Sequence, residues 1–161
     1  MIELELTRSP DDKRLYVLDG VGTVRFEGFG SRRAVAEAGD ERWRLSRRTF
    51  ARTTEAVDAS GATAGTFVSA LLRGGGALRW LGGEYSLRPT GVTRRRYELV
   101  LGERTLAVVD PKGWGKRPVK LLVGDLDAVE PGLLLFASFV AHGLAGDAAA
   151  TAGGGAVAAT S

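Results

Sequence analysis

The stretch Leu133-Leu134-Leu135-Phe136-Ala137-Ser138-Phe139-Val140-Ala141-His142-Gly143-Leu144 limits what this chain can fold into more than any other feature. It has no polar face. Only Ser138 and His142 interrupt it, and they fall on one side of a helix. A helix that is apolar all round must be enclosed, by protein or by lipid. Length separates the two. A membrane span takes about 20 residues, whereas the run to Gly146 offers about 14. The expectation is a buried core helix near 131–145, and the question becomes what walls it in.

Two helix starts are open. Asp127 and Glu130 have the spacing of a capping box, or Glu130 precedes Pro131 at the first helical position. Beyond Gly146 the chain is Ala, Gly, Thr, Val and Ser with one charge, Asp147. Such side chains do little to offset ordering entropy, and Gly153-Gly154-Gly155 disfavours a helix. A disordered tail is expected over 147–161.

Before residue 125 the dominant period is two. Ile2, Leu4 and Leu6 alternate with Glu3, Glu5 and Thr7, and Trp43 and Leu45 alternate with Arg42, Arg44 and Ser46. Period two puts one set of side chains in the core and the other in water. Strands are expected near 2–7, 14–18, 22–28, 34–38, 42–46, 51–57, 65–72, 77–81, 84–88, 95–101, 104–110 and 117–123. Turn residues separate them, among them Asp19-Gly20, Gly82-Gly83 and Gly102-Glu103. The nearly continuous apolar run 67–72 suggests burial on both faces. About twelve short strands imply an antiparallel sandwich or barrel. A helix greasy on every side needs walls on every side, which favours a mainly β barrel around it, one domain over 1–146.

This pattern resembles the tubby C-terminal-like superfamily, which includes tubby proteins, phospholipid scramblases and LURP-one-related proteins. The residues that carry it are the strand series from Trp43 to Val123 and the helix Leu133–Leu144. The resemblance implies a barrel threaded by its helix, and binding rather than catalysis, with surface cations meeting anionic lipid headgroups. No acidic loop cluster marks the calcium site of scramblase-like members, and palmitoylation has no cysteine to use.

Composition excludes several chemistries. With no cysteine, thiolate zinc sites, disulfides and cysteine nucleophiles are ruled out. His142 is the sole histidine and lies in the apolar run, where a core or helix-end role suits it better than a triad. Gly115-Lys116 resembles a phosphate loop, but Asp110 stands where the first glycine belongs and Arg117 replaces the Ser or Thr. No metal or organic cofactor is implied. The first residues alternate apolar with acidic, unlike a signal peptide. A bacterial cytoplasmic protein is expected, with peripheral association at the membrane as a variant.

The net charge is +3, and cations cluster in two places. Lys112, Trp114, Lys116 and Arg117 share one glycine-rich loop, where an indole among cations suits a headgroup, a base or a sugar. Arg94, Arg95 and Arg96 open a strand, and Arg32-Arg33 and Arg47-Arg48 add pairs whose members point to opposite faces. The function expected is a non-enzymatic binding or scaffolding module for an anionic lipid headgroup or a protein partner. The alternative is a lipocalin-like carrier or enzyme with its site inside the barrel. Nucleic acid is the weaker partner, since Tyr97 is the only aromatic close to the arginine run.

Overall fold

The computed structural model describes residues 1–28, 32–48, 52–70, 74–91, 96–111 and 118–160, with side chains as far as 147. Twelve strands follow one another as β1 (Ile2–Arg8), β2 (Leu15–Leu18), β3 (Gly22–Glu27), β4 (Arg33–Ala38), β5 (Glu41–Arg48), β6 (Thr53–Asp58), β7 (Thr63–Ser69), β8 (Gly76–Trp80), β9 (Gly83–Thr90), β10 (Arg96–Leu101), β11 (Arg104–Asp110) and β12 (Val119–Val123). Each pairs antiparallel with the next, and β1 closes onto β12 through Ile2 opposite Val123 and Leu6 opposite Val119. The result is a closed up-and-down barrel in which each of the described strands is paired on both sides.

Alternation decides which face turns inward. Leu6, Val24, Leu45, Leu78, Leu87, Leu99 and Leu121 are buried on the inside. Outside, Glu3 and Lys120 lie 3.7 Å apart, Arg88 and Glu98 3.3 Å apart, and Arg79 and Glu84 2.9 Å apart. This is the reverse of a membrane-spanning barrel, which turns an apolar belt to lipid. Among the described residues no helix is long and apolar enough to cross a membrane.

The helix α1 (Pro131–Thr160) enters from the end of β12 and fills the axis. Leu133 through Ala141 are all buried, on every face of the helix. Its contacts lie all around the wall. Phe136 meets Trp80 with ring centroids 5.5 Å apart, and Phe139 meets Phe26 at 6.0 Å. Gly132 makes the entry possible. A Cβ there would sit 2.5 Å from Trp80 and 2.7 Å from Trp43, a spacing that real side chains do not tolerate. Ser138 is satisfied within the helix, its hydroxyl donating to the Leu134 carbonyl at 2.8 Å.

Of the two helix starts, the second forms. Asp125 caps a 3-10 turn over Leu126–Ala128, accepting from the Asp127 amide at 3.1 Å, and α1 begins at Pro131. Glu130 instead accepts from the Trp80 indole N–H at 2.9 Å. The helix does not stop where the apolar run stops. Its backbone continues to Thr160, through the segment for which a structureless tail is expected.

Two strand details also differ from expectation. Val68 is 53% exposed beside buried Phe67, so β7 alternates instead of being buried on both faces. The turn between β8 and β9 is Leu81-Gly82 rather than Gly82-Gly83. Trp80 pairs with Gly83, and the two residues between them have φ of 46° and 84°. A two-residue hairpin loop with both φ positive matches the strand twist, and here it places a leucine in the left-handed region, at a cost of roughly 1 kcal/mol.

Candidate functional site

In an antiparallel meander, the connections from odd to even strands lie at one end and those from even to odd strands at the other. The two ends of this barrel carry opposite charge. The even-to-odd turns bear Asp19, Asp40, Asp58 and Glu103, and the passage from β12 into α1 adds Asp125, Asp127 and Glu130. At the odd-to-even end stand Arg8, Lys13 and Arg14 around the first connection, Arg32 and Arg33 around the second, Arg47, Arg48 and Arg52 around the third, and Arg96 at the start of β10. The helix runs from the acidic end to the basic one, so the positive pole at its N-terminus faces Asp125, Asp127 and Glu130.

Among the described residues, most cations of the basic end make no ion pair. Among the described residues Lys13, Arg14, Arg32, Arg33, Arg48 and Arg52 are exposed and form no ion pair. Of the acids that share this end, Asp11 and Glu27 are exposed, with Glu27 opposite Arg33 in the β3–β4 register, and the other three are engaged. Asp12 holds Arg25 at 2.5 Å, Asp110 lies 3.5 Å from Arg96, and Asp147 holds Arg47.

The residues expected from sequence to bind sort as follows. Arg96 is exposed, first in β10, and opposite Thr90. Arg94, Arg95, Lys112, Trp114, Lys116 and Arg117 lie outside the described residues. The strand ends that these segments join, Thr90 with Arg96 and Asp110 with Val119, are both at the basic end. Arg47 and Arg48 point to opposite faces as expected. The Arg47 side chain is 19% exposed on the inside, while Arg48 is exposed on the outside.

Inside the rim, several polar groups surround the last enclosed turn of the helix. The alternation of β1 places Arg8 on the inner face, opposite Tyr16 of β2. Tyr16 packs edge-on against Phe26 at 5.6 Å, and Phe26 packs against the His142 ring at 5.5 Å. Arg47 lies along the helix at Gly143, where a Cβ would come within 3.0 Å of its Nε and Nη1. Gly143 thus leaves room for the guanidinium to reach Asp147 one turn on. Tyr97 is buried on the inner face of β10, and burial, with the Asp147 charge adding, raises its hydroxyl pKa above the usual value.

Burial lowers the His142 pKa from 6.5 to about 4, and the Arg47 charge adds to the effect. The imidazole is therefore neutral at pH 7. Above pH 6.5 it is neutral in both folded and unfolded chains, and its stability contribution is complete. As pH falls from 6.5 toward about 4, the unfolded chain takes up a proton that the folded chain refuses, and stability drops. The expected slope from this group is at most about 1.4 kcal/mol per pH unit. Urea unfolding of the wild type and His142→Gln across this range measures it. The variant should lose that part of the slope, and identical slopes would show that His142 contributes none.

On the outer wall, an open groove of about 570 Å³ is lined by Arg14, Thr23, Arg25, Val35, Glu37 and Arg42. Its cations are mostly paired, Arg25 with Asp12 and Arg42 with Glu37 at 3.2 Å, so it lacks the net charge of the rim. Among the described residues no group of His, Cys, Asp and Glu converges on a metal-sized site.

No protein-family model matches this chain, and no curated protein or solved structure matches it either.

Sequence reasoning picked out cation clusters one by one and missed that they share an end. The signal was present. Turns rich in Asp and Gly alternate along the chain with connections rich in Arg and Lys, and in a meander such alternation sorts charge to opposite ends.

Proposed function

We propose that this protein is a non-enzymatic binding module whose basic end meets an anionic surface, with the phosphate-bearing headgroups of lipids as first partner and an acidic protein surface as second. The observation that carries this reading is the segregation of charge. A ring of arginines with Lys13, mostly without ion pairs among the described residues, lies at one end, opposite an acidic end; it orients the molecule toward a negative surface and speeds encounter with it. The filled axis supports a surface role over the lipocalin-like carrier, because the apolar helix takes the space a carried ligand would need. The resemblance to the tubby C-terminal-like superfamily belongs to the same proposal, and a closed barrel threaded by an apolar helix supports it. So does the setting we infer, a bacterial cytoplasm with peripheral contact at the membrane.

Co-sedimentation with phosphatidylglycerol–phosphatidylcholine vesicles tests the proposal against vesicles of phosphatidylcholine alone. Binding is expected only to the anionic vesicles at low ionic strength. It should vanish near 1 M salt, where the screening length falls to about 3 Å. Equal binding to both vesicle types, or none to the anionic ones, overturns it.

A further inference from the structure

The inner rim of the basic end contains an anion in a defined place, and that anion belongs to the chain. Asp147 stands on the turn of α1 that leaves the barrel, and its carboxylate pairs with Arg47, the inward-facing cation of β5. Arg47 is fixed by the wall and the helix. Its side chain is mostly buried, and it lies against the space that Gly143 leaves open. Tyr97 faces inward from β10, near enough to feel the carboxylate charge. Asp147 itself is exposed. A fixed guanidinium thus holds a carboxylate that sits on the more exposed partner.

We propose that this rim is a seat for a phosphate or carboxylate group, and that Asp147 fills it as an internal competitor. The inference rests on the basic end being the binding face and adds how access to it is controlled. A planar guanidinium recognises carboxylate and phosphate oxygens by the same pair of hydrogen bonds. An incoming phosphate therefore meets Arg47 by displacing Asp147. The displaced side chain lies where the helix has already left its walls, so its release disturbs none of the buried turns between Leu133 and Ala141. The surrounding arginines would draw the anion in. A lipid headgroup and a free phosphate share this chemistry.

The test compares Asp147→Asn with Asp11→Asn, which removes an equal charge at the same end without touching Arg47. Inorganic phosphate is titrated while the Arg47 Nε–H and His142 ring resonances are followed by NMR, and the same proteins are sedimented with phosphatidic acid–phosphatidylcholine vesicles. Asp147→Asn is expected to bind phosphate about two- to fivefold more tightly than wild type, the range that loss of one half-exposed ion pair allows. Asp11→Asn should not match it. A phosphate response at Arg47 without vesicle binding supports the seat and refutes the surface reading. Vesicle binding that rises equally in both variants refutes the seat and leaves the surface reading standing. No shift at Arg47 in Asp147→Asn, where the seat is vacated, also overturns the proposal.

Discussion

Phe136→Asp is expected to leave no cooperatively folded protein. Phe136 is fully buried at the middle of the enclosed part of α1, with its ring against Trp80. Removing a buried phenylalanine costs about 3–5 kcal/mol through lost contacts and the cavity left behind. An aspartate adds a charge with no partner in a dry interior, a cost of several kcal/mol more. Together these approach the roughly 5–15 kcal/mol by which whole domains are stable. The helix cannot escape by rotating, because Leu133, Leu134, Leu135, Phe139 and Val140 are buried around it and every rotation leaves some residue in the same dry space. Loss of the near-ultraviolet circular dichroism signal and of any sigmoidal thermal transition is the expected result. A native-like transition would show that α1 is not the interior of this barrel. Phe136→Leu is the control. It keeps the apolar character, loses part of the volume, and should unfold cooperatively at a lower temperature.

The interior was legible in the sequence because burial imposes a period. Strands such as Leu4–Leu6 and Trp43–Leu45 alternate, and α1 does not alternate at all. Those two patterns together call for a wall and an axle. The helix entrance was half legible. Pro131 marked it, but Glu130 could not be assigned to the Trp80 indole, because that contact joins positions fifty apart. The turn at Leu81-Gly82 was misplaced by one residue because Gly82-Gly83 is the better turn pair by composition. The pairing of Trp80 with Gly83, set by the inward tryptophan, overrides it.

The site was less legible, for a different reason. Period and turn chemistry are local, whereas the basic end is a property of the closed sheet. Arg47 and Asp147 are one hundred positions apart, and only the passage of α1 through the barrel brings them together. Arg33 and Arg48 likewise share an end because β4 and β5 run antiparallel, with Arg33 opposite Ser46. Composition also hid the segregation. The net charge of +3 averages an acidic end with a basic one, so the total understates what either end presents to a partner.

The replacement of Arg14, Arg33, Arg48 and Arg52 by glutamine is therefore expected to abolish vesicle binding. All are exposed, at the basic end, and unpaired among the described residues. A cation near an anionic membrane contributes about 1 kcal/mol, so losing all of them lowers affinity about a thousandfold. Stability should change little, because exposed side chains that make no ion pair hold nothing in place. The matching control replaces Arg42, Arg44, Arg79 and Arg104, which lie on the outer wall and toward the acidic end. It removes the same total charge. Arg42 and Arg104 lie six residues from the basic ends of β5 and β11, about 20 Å along the strand, twice the screening length of about 10 Å at 0.1 M salt. The control should thus retain most of the affinity if one end makes the contact. Equal losses in the two proteins would mean that total charge, not its placement, drives binding, and the basic end would lose its claim to be the site.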